Sequence, residues 1–499
     1  MARTDVPVSV LLEALPERRM VGTPPPAVSG LTADSRRVQP GDCFVAVPGF
    51  KQDARRFVPD AVGRGARLVV TEGEPLDGLP VAQVLVPSAR AALPRLAGAF
   101  HGHPSRALTV VGITGTNGKT TTSYLVDALL RARGLATGII GTIQYVLGDE
   151  TRPAGQTTPE ALEIQALLAE MRARSIGGVA MEVSSHALAL SRVDGLEFDV
   201  AVFTNLTQDH LDFHGTLDEY RRAKRRLFEL LAASSKPRRT AVVNADDPAG
   251  AAMVAGLDLP VLPFGLGPRA SVRAVEHTSD LGGIRMTVDT PRGRLALASP
   301  LIGEHNVMNL LGAVATGLAL DLAPDAVARA LAGVSTVPGR FEQVHAGQPF
   351  LVVVDYAHTP DALERVLAAA RKITPGRLGV VFGCGGDRDR GKRPIMGEIA
   401  ARLAERVWVT SDNPRSERPE AIVDEIATGI GRVAGAGARC ARQADRHAAI
   451  RAALGWAEAG DTVVIAGKGH ETYQIVGPDV LDFDDRAVAR AILGAGGRR

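Results

Sequence analysis

The chain has 499 residues and a nearly balanced charge, with 57 lysines and arginines against 55 aspartates and glutamates, and 45% of its residues are hydrophobic. Because one hydrophobic core cannot support this length, we expect about two to four domains. The net charge of +2 gives no electrostatic reason to expect a nucleic-acid or membrane partner. Three widely separated cysteines exclude a disulfide scaffold and a cysteine-clustered zinc site.

The N-terminal region has the pattern of a small α/β domain. It lacks the profile of a secretory signal, and no apolar run in the chain is long enough to span a membrane, so we expect a cytoplasmic protein. Short apolar runs at 43–47, 67–71 and 82–86 predict strands separated by brief helices. We place the end of this domain near the linker His101-Gly-His-Pro104, giving a first domain over residues 1–106.

A phosphate-binding loop is the most informative motif of the next region. The β-branched run that ends at Ile113 predicts a buried strand, residues 114–118 a tight turn, and Lys119 the start of a helix that stops at Gly134. In this geometry Lys119 reaches the terminal phosphates of a nucleotide and the Thr120 hydroxyl can ligate Mg²⁺. Ile113 stands where the general pattern has glycine, so an ordinary glycine turn is the alternative. The motif predicts a central ATP- or GTP-binding domain over residues 107–337.

Seven further predicted strands each end in polar residues. They cover 178–183, 199–203 and 241–243 in the central region, and 351–354, 379–382, 407–410 and 462–466 in a third region that begins near Pro338. Strands that alternate with helices imply parallel sheets, whose ligands gather at the carboxyl ends of the strands. We therefore expect a third α/β domain over residues 338–499 and an active site between domains.

A helix predicted from Leu217 carries a lysine on its inward face. Thr216-Leu-Asp-Glu219 is a capping box that marks the start of this helix. The inward stripe comprises Leu217, Tyr220, Lys224, Leu227 and Leu231. Lys224 either extends out of this stripe into solvent or points into a site. With an ordinary pKa of about 10.4 it cannot ligate a metal unless a covalent change, such as CO₂ addition, converts it to an anionic carbamate.

The loop over residues 204–215 contains two histidines and two aspartates, and Glu182 ends a neighbouring strand. Mg²⁺ prefers oxygen ligands, so Glu182 and the Thr120 hydroxyl suit one ion. A second ion could take His210 and a modified Lys224. A capping or core histidine is the alternative interpretation of His210.

Charged loops follow the strands of the third region. The stretch 385–393 is glycine-rich and basic, and Asp412-Asn-Pro-Arg415 places a rigid turn beside a guanidinium that could form a bidentate contact with a carboxylate. Residues 467–471 add the acid Glu471. This set could bind the carboxylate and ammonium groups of an amino acid. Solvent-exposed loop charges are the alternative.

Taken together, these motifs resemble those of the Mur ligases of peptidoglycan synthesis. The matching segments are 34–36, 40–46, 115–121, 182–187, 204–207, 209–215, 303–309, 355–360 and 383–389. The chain is most similar to the MurE type, which adds the third residue of the stem peptide, and its 412–415 segment is similar to that of diaminopimelate-adding members. Two positions depart from the family pattern: Ala54 replaces a common glycine, and Leu190 replaces a glutamine found in some members.

The resemblance implies an α/β protein of three domains: a smaller UDP-binding domain, a central ATPase domain with a mostly parallel sheet, and a C-terminal Rossmann-like domain that receives the amino acid. It implies an ATP-dependent ligase that joins 2,6-diaminopimelate to the D-glutamate γ-carboxylate of UDP-N-acetylmuramoyl-L-alanyl-D-glutamate through an acyl phosphate. Such an enzyme serves cell-wall synthesis, and hence cell shape and division. The alternatives are a lysine-adding relative, a ligase like folylpolyglutamate synthetase, and a nucleotide-binding regulator that makes no bond.

The resemblance also implies which residues form the site. Those for ATP are Gly115, Thr116, Asn117, Gly118, Lys119, Thr120, Thr121, Asn306, Asn309, Arg340 and Asp355. Those for the UDP-muramoyl-dipeptide are Ser35, Thr157, Thr158, Ser184 and Arg192. Those for diaminopimelate are Arg388, Asp412, Asn413, Pro414, Arg415, Gly467 and Glu471. The implied catalytic residues are Lys119, Glu182, His210 and Lys224.

Two Mg²⁺ ions are implied as cofactors, one held by Thr120 and Glu182 and the other by His210 and carbamylated Lys224. The implied partners are the three small-molecule substrates, with no nucleic acid and no membrane, and we expect a monomer.

Overall fold

The computed structural model describes residues 5–49 and 53–496, so Phe50, Lys51 and Gln52 of the stretch that contains Ala54 lie outside the described part. The chain forms two compact units. Unit 1 comprises Met1–Arg273, Asp289–Gly293 and Leu311–Val327, and unit 2 comprises Ala274–Val288, Arg294–Leu310 and Ala328–Arg499. The predicted boundaries of the three domains stay predictions.

The first part of unit 1 is a small α/β fold. Its strands are β1 Val6–Pro7, β2 Arg19–Val21, β3 Ala27–Val28, β4 Gly30–Thr32, β5 Asp42–Val45, β6 Leu68–Thr71 and β7 Ala82–Leu85. Its α-helices are α1 Val8–Glu13, α2 Val58–Gly63 and α3 Ala89–Phe100, and its 3₁₀ helices are Ser35–Arg37, Ala54–Phe57 and Pro104–Ala107. The main sheet has the order β2-β7-β6-β5-β4, parallel from β7 to β4. The three strands predicted here are confirmed to within two residues.

The central region begins with the strand that leads into the phosphate loop. Its strands are β8 Thr109–Thr114, β9 Thr137–Ile140, β10 Gln144–Leu147, β11 Glu150–Pro153, β12 Gly178–Glu182, β13 Val200–Phe203, β14 Thr240–Asn244, β15 Val261–Gly265, β16 Val272–Asp280, β17 Gly283–Thr290 and β18 Gly293–Ser299. Its helices are α4 Lys119–Ala132, α5 Ala161–Ala173, α6 Ser185–Ala189, α7 Leu211–His214, α8 Leu217–Ala233, α9 Gly250–Val254, α10 His305–Ala319 and α11 Pro324–Ala332.

The sheet of this region is parallel where the candidate site residues emerge. Strands β9, β12, β8, β13, β14 and β15 lie side by side in that order and are all parallel. The strands β8, β12 and β13 consist mostly of β-branched and other apolar residues, because both faces of the sheet are covered. The carboxyl ends of β8, β12 and β13 therefore place the phosphate loop, Glu182 and the 204–215 loop at one edge.

Helix α8 follows the predicted stripe from its second turn onward. The Thr216 hydroxyl accepts a hydrogen bond from the Glu219 backbone N–H (3.2 Å), which confirms the N-terminal cap. Four stripe residues are buried, namely Tyr220, Lys224, Leu227 and Leu231. The prediction that Leu217 faces inward is wrong, since its side chain is 47% exposed. Leu217 is the first helical residue, and packing against the rest of the unit begins only at Tyr220.

The last region of unit 2 is a six-stranded α/β fold. Its strands are β19 Glu342–Gln343, β20 Leu351–Asp355, β21 Leu378–Phe382, β22 Arg406–Val409, β23 Cys440–Arg442 and β24 Thr462–Ala466, followed by a separate hairpin of β25 Tyr473–Val476 and β26 Asp479–Asp482. Its helices are α12 Pro360–Ile373, α13 Lys392–Leu403, α14 Pro419–Ile430, α15 Arg446–Trp456 and α16 Asp485–Gly496, with a 3₁₀ helix at Ala436–Arg439.

The order of this sheet is β19-β20-β24-β21-β22-β23, and every pair except β19–β20 is parallel. Apolar clusters cover both faces. The parallel order places the carboxyl ends of β20, β24, β21 and β22 next to one another, as expected for ligand binding in such folds. Within the described residues, no helix has the length and apolar character needed to cross a membrane.

Candidate active site

The phosphate loop has the backbone geometry that the sequence predicts. Strand β8 ends at Thr114, and Gly115 and Gly118 both have positive φ angles, of 148° and 85°. Gly118 is the residue before helix α4, where its left-handed conformation turns the chain into the helix. A Cβ atom at Gly115 would lie 1.8 Å from the Thr204 hydroxyl, so the next loop excludes any side chain there.

The residues after β13 hold the phosphate loop in place. Asn205 accepts a hydrogen bond from the Asn117 backbone N–H (2.9 Å) and donates one to the Asn117 carbonyl (3.1 Å). The Thr116 hydroxyl donates to the Thr207 carbonyl and lies 3.1 Å from the Tyr220 hydroxyl. These contacts preorganise the loop around a fixed backbone path.

Lys119 and Thr120 begin helix α4 with their polar atoms directed to the loop and the neighbouring strand. The Lys119 ammonium donates to the carbonyls of Gly115 and Thr116 at 2.8 and 2.9 Å. The Thr120 hydroxyl donates to a carboxylate oxygen of Glu182 at 3.1 Å. A cation and a hydroxyl–carboxylate pair therefore stand at the same helix N-terminus, where the dipole favours anions.

Glu182 is buried, and hydroxyl groups surround its carboxylate. It accepts from the Thr142 backbone N–H (2.8 Å) and from the Thr142 hydroxyl (3.0 Å). That hydroxyl in turn lies 3.1 Å from the Thr157 hydroxyl. Thr158 donates its hydroxyl to the Glu182 carbonyl and accepts from the Ser184 backbone N–H. Thr157, Thr158 and Ser184, which the sequence assigned to substrate, are thus linked by hydrogen bonds to Thr142 and to the backbone of Glu182, the residue that it assigned to metal.

Lys224 is buried in helix α8, with 1% of its surface exposed. Its ammonium nitrogen lies 4.2 Å from the centroid of the Tyr220 ring, and among the described residues it makes no hydrogen bond or ion pair. Burial and, secondarily, the nearby charge of Lys119 hold the pKa of Lys224 well below its ordinary value, while Asp209 opposes the shift. A lowered pKa increases the fraction of unprotonated amine, which is the nucleophilic form of a lysine.

His210 lies in the same neighbourhood, at the start of helix α7 with φ of 53°. Its ring centroid is 4.8 Å from that of His186 and 6.3 Å from that of Tyr220. The side chain of His210 is 48% exposed; its partial burial lowers its pKa first of all, Asp209 raises it, and Lys119 and Lys224 lower it further. Neutral imidazole is the form that ligates metals.

The described residues contain no cluster of three or more histidine, cysteine, aspartate or glutamate side chains arranged to hold a metal ion. The oxygen donors Thr120 and Glu182 nevertheless suit Mg²⁺, which binds through one or two carboxylates plus phosphate oxygens and waters. An unmodified Lys224 does not suit a metal, because a lysine amine offers no oxygen donor.

A cavity of about 850 Å³ lies within unit 1, between the first α/β fold and the start of the central region. Its lining includes Arg37, Arg90 and Arg192, together with the acids Glu160 and Glu163. Arg192 forms an ion pair with Glu160 (2.6 Å) and donates to the Thr158 carbonyl (3.1 Å).

Ser35, also predicted for this substrate, is buried in the 3₁₀ helix Ser35–Arg37 beside the lining residue Asp34. The sequence analysis did not predict Arg37 and Arg90 as site residues. The only feature that could have indicated them is their positive charge in a region predicted to bind a phosphate-bearing substrate.

In unit 2, Asp355 is the last residue of strand β20, and each of its carboxylate oxygens accepts a hydrogen bond. One accepts from the Phe341 N–H (2.7 Å) and the other from the Ala357 N–H (2.8 Å). Burial raises the pKa of Asp355, and Arg340 and these amides oppose the rise. Arg340 stacks over the Tyr356 ring at 4.7 Å. Unit 2 also contains Asn306 and Asn309, the predicted adenine contacts, both buried and joined side chain to side chain at 2.8 Å.

The turn after β22 holds Asp412 and Asn413 in the interior and Arg415 half-buried. Arg415 has φ of 52°, and its guanidinium donates to the carbonyls of Gly386 (2.9 Å) and Asn413 (3.4 Å). Among the described residues Arg415 forms no ion pair with a carboxylate. A Cβ atom at Gly385 would lie 2.9 Å from its guanidinium, so this glycine leaves the space that the arginine fills.

The turn after β24 contributes Gly467 and Glu471 to the same place. Gly467 has φ of 112°, and a Cβ atom there would lie 2.7 Å from the Asp412 carboxylate. Asn413 donates its side-chain amide to Glu471 at 2.9 Å. The predicted residues from 412 to 415, 467 and 471 therefore come together, Pro414 included, since its carbonyl packs against Gly386. Arg388 is exposed and donates to the Asp387 carbonyl, with its Cγ 3.7 Å from the Cβ position of Gly385 against which Arg415 also packs.

Comparison with known proteins agrees with this geometry. Three family models match the chain: the Mur ligase family catalytic domain at residues 27–101, the Mur ligase middle domain at 113–317 and the Mur ligase glutamate ligase domain at 339–469. The chain is 49% identical over 466 residues, 93% of each chain, to a Solibacter usitatus protein named UDP-N-acetylmuramoyl-L-alanyl-D-glutamate–2,6-diaminopimelate ligase. The chain belongs to the Mur ligase family.

Two further comparisons bear on this Mur ligase. A Geobacillus kaustophilus protein of the same name is 46% identical over 470 residues, 94% of this chain and 95% of its own. A solved structure of a ligase with that name is 32% identical, has a TM-score of 0.72, and the alignment covers 99% of this chain and 100% of that one. The predictions of a three-domain α/β Mur ligase fold and of an enzyme of the ligase class are confirmed. The roles of the individual site residues stay predictions.

The residue that sequence reasoning overlooked in this Mur ligase is Lys468. It lies between Gly467 and Gly469 in the 467–471 motif, of which only Gly467 and Glu471 were predicted as site residues. Its side chain is completely buried, and it donates to Asn413 (3.2 Å) and to Glu471 (2.9 Å). A lysine between two glycines in a loop has no periodic pattern that would indicate burial, so only the structure identifies it.

Proposed function

We propose that the chain is the ATP-dependent ligase that adds 2,6-diaminopimelate to UDP-N-acetylmuramoyl-L-alanyl-D-glutamate in peptidoglycan precursor synthesis. The γ-carboxylate oxygen of D-glutamate attacks the γ-phosphorus of ATP, the bond to the β–γ bridging oxygen breaks, and ADP leaves. The amine of diaminopimelate then attacks the acyl carbon of the acyl phosphate and loses a proton. Phosphate leaves with the electrons of the broken C–O bond, and an amide remains.

The observation that carries the proposal is the set of charges after β22 and β24. Asp412 and Glu471 offer carboxylates, and Arg415 offers a guanidinium that pairs with no described carboxylate. A substrate with an ammonium group and a distal carboxylate complements this set, since each of its charges meets an opposite one. Lysine has no distal carboxylate and would leave Arg415 unpaired. The names of the relatives that are 46–49% identical support the same substrate.

The phosphate loop supports ATP as the source of activation. Lys119, at the N-terminus of α4, would exchange its two loop carbonyls for phosphate oxygens and offset negative charge on the transferring group. Thr116, Asn117 and Thr121 belong to the same loop and helix start. Asn306, Asn309, Arg340 and Asp355 are proposed for the adenosine part of the nucleotide.

Thr120 and Glu182 are proposed to hold one Mg²⁺ ion, because they place a hydroxyl and a carboxylate oxygen 3.1 Å apart at the loop. When bound, the two ions of the proposal would neutralise phosphate charge and stabilise the developing oxyanions. Glu182 also keeps Thr142 in place through two hydrogen bonds, so it orders the substrate side of the sheet edge.

Lys224 and His210 are proposed for the second ion, with Lys224 carried as its carbamate. The neutral amine attacks CO₂, a C–N bond forms, and the resulting carbamic acid loses a proton to give an anion with two oxygen donors. The burial of Lys224 and the direction of its pKa shift support the first step, because only the unprotonated amine has a free electron pair.

The cavity in unit 1 is proposed to bind the UDP-muramoyl-dipeptide. Arg192 lines it and donates to the Thr158 carbonyl, and Thr158 in turn bonds the Glu182 carbonyl and the Ser184 N–H, while Thr157 lies 3.1 Å from the Thr142 hydroxyl. Ser35 lies in the first α/β fold, next to the lining residue Asp34. A volume of about 850 Å³ suits a nucleotide-sized ligand.

We further propose a monomeric cytoplasmic enzyme. All three cysteines are unpaired, and two of them, Cys43 and Cys384, are buried thiols, as is usual for a reducing compartment.

The test is ADP release by the purified chain with ATP, Mg²⁺, UDP-N-acetylmuramoyl-L-alanyl-D-glutamate and one amino acid at a time. Turnover with meso- or LL-diaminopimelate and little with lysine is the expected result. Preference for lysine would favour the lysine-adding alternative, and turnover with a folate and glutamate would favour a folylpolyglutamate-synthetase-like ligase. A rate of ADP release that does not depend on the presence of an amino acid would contradict the ligase proposal and favour a nucleotide-binding regulator.

A further inference from the structure

Lys468 is a buried cation whose polar contacts are all with residues proposed for the amino-acid substrate. Gly467 and Gly469, with φ of 112° and 54°, flank it in the turn after β24 and direct the chain so that its side chain enters the interior. The side chain is completely buried. A lysine ammonium in the interior is stable only when it is paired and hydrogen-bonded.

The contacts of Lys468 determine how Asn413 is oriented. Its ammonium donates to the Asn413 side-chain oxygen at 3.2 Å, and the Ile475 backbone N–H donates to the same oxygen at 2.9 Å. The Asn413 nitrogen must then face the other way, where it donates to Glu471 at 2.9 Å. The amide is therefore held in one of its two possible orientations, because both groups at its oxygen are donors.

The same ammonium fixes Glu471. One oxygen of Glu471 accepts both from Lys468 (2.9 Å) and from Asn413, while among the described residues its other oxygen accepts no hydrogen bond. The Lys468 nitrogen also lies 3.9 Å from the Asp412 carboxylate. Lys468 thus holds two carboxylates close together that would otherwise repel each other.

Asp412 and Glu471 share one cation within direct reach, the Lys468 ammonium, while the fully buried pair Arg446–Asp485 is neutral by itself. Arg415 is the other cation of these turns, but it donates only to backbone carbonyls and is proposed for the distal carboxylate of the substrate. One additional cation would complete the balance. The α-ammonium of an amino acid is such a cation, and the free oxygen of Glu471 is an acceptor for it.

We propose that Lys468 is a positioning residue for the amino-acid substrate: it orients Asn413 and Glu471 and sets the charge of the subsite so that it accepts one ammonium group. This inference deepens the proposed function and rests on it. Lys468 does not contact the phosphoryl or acyl groups in this scheme, so it should act on amino-acid binding and not on the use of ATP.

The test compares Lys468→Met and Lys468→Arg with the wild-type chain in the ADP-release assay. For Lys468→Met we expect the KM for diaminopimelate to rise roughly 10- to 100-fold, the size of effect seen for groups that orient a ligand-binding residue. The KM for ATP should change by less than about twofold. Lys468→Arg restores the charge and should recover part of the lost affinity.

Lys236→Met is the matched control, because Lys236 is also a buried lysine paired with a carboxylate, Asp199, but lies in unit 1 at the start of the strands. It should lose thermal stability and keep its KM for diaminopimelate. An unchanged KM for diaminopimelate in Lys468→Met, or equal losses for ATP and for the amino acid, would overturn the positioning role.

The wild-type chain separates the two proposals. If it ligates diaminopimelate and the variants do not change that KM, only the inference about Lys468 fails. If the wild-type chain does not ligate diaminopimelate, the proposed function and the inference both fail. If Lys468→Met does not fold, Lys468→Gln decides, because it keeps a polar group without the charge, and a KM for diaminopimelate equal to that of the wild type then contradicts the inference.

Discussion

The ammonium nitrogen of Lys224 lies 4.2 Å from the centroid of the Tyr220 ring, one turn earlier on helix α8. The Tyr220 hydroxyl in turn lies 3.1 Å from the Thr116 hydroxyl of the phosphate loop. Two residues of one helix stripe therefore connect a buried amine to the nucleotide site. Burial also raises the pKa of Tyr220, so its hydroxyl stays neutral beside the loop.

Replacing Lys224 with alanine should abolish most of the ligase activity. Loss of a group that stabilises transition-state charge typically lowers kcat by about 10²- to 10³-fold. A small carboxylate such as acetate should restore part of the rate in Lys224→Ala, because it can replace the carbamate. The measurement is ADP release with and without acetate. Arg222→Ala, on the exposed side of the same helix, should behave like the wild type, and an active Lys224→Ala would contradict the carbamate.

Replacing Glu182 with glutamine should weaken the use of Mg²⁺. The amide keeps the shape of the side chain but loses the negative charge next to Thr120 and Thr142. The Mg²⁺ concentration for half-maximal activity should rise at least about tenfold. A titration of activity against Mg²⁺, starting from chelator-treated protein, measures this shift. Glu150→Gln removes an exposed carboxylate in an ion pair elsewhere in unit 1 and should leave the titration unchanged.

Replacing Gly385 with alanine should reduce the preference for diaminopimelate over lysine. The new methyl group would lie 2.9 Å from the Arg415 guanidinium and displace it. Loss of the distal carboxylate contact should cost about 10-fold or more in kcat/KM for diaminopimelate, with a smaller effect on lysine.

Gly455→Ala is the matched control for this glycine. Gly455 is a helical glycine of α15 in the same unit, with open space around its Cβ position, so its replacement should leave selectivity intact. An equal preference for diaminopimelate over lysine in the wild type and in Gly385→Ala would show that Arg415 does not bind the distal carboxylate of the substrate.

His186 should make the stability of the protein depend on pH in the weakly acidic range. Burial lowers the pKa of the half-buried His186 to about 4 in the folded chain, with smaller contributions from His210 and His214. The unfolded value is about 6.5, so between these values the unfolded chain binds one more proton at this site. The stabilising contribution is therefore complete above pH 6.5 and is lost as the pH falls toward 4, at up to about 1.4 kcal/mol per pH unit.

The measurement is the free energy of unfolding by denaturant at several pH values. His186→Gln should give a shallower pH dependence than the wild type, whatever its stability at neutral pH. His345→Gln, which replaces an exposed histidine of unit 2, serves as the control and should keep the wild-type slope. Identical slopes for His186→Gln and the wild type would show that His186 does not cause the acid sensitivity.

The local elements around the phosphate loop could be predicted well because they depend on short-range features. Strand β8, the glycine turn and the start of α4 at Lys119 lie where the pattern of apolar residues and glycines places them. The parallel arrangement of β8, β12 and β13 follows from the alternation of strands and helices. That alternation also predicted that Glu182 and the 204–215 loop would meet the phosphate loop at one sheet edge.

The failures concern burial and pairing. Leu217 fits the helical stripe but is exposed, because the first turn of α8 extends beyond the packed face. Lys468 has no pattern at all around it, yet it is completely buried between Asn413 and Glu471. Arg388 is exposed in this structure, and its role as a ligand contact stays a prediction.

The sequence by itself determined the family, the succession of strands and helices, and the residue types that stand at the strand ends, because these depend on local periodicity and on short motifs. Only the tertiary structure decided which of those residues lose their water. Burial lowers the pKa of Lys224 and pairs Lys468 with Glu471, although the chain alone presents both as ordinary lysines. Desolvation depends on contacts between residues far apart in sequence, and no local pattern encodes it.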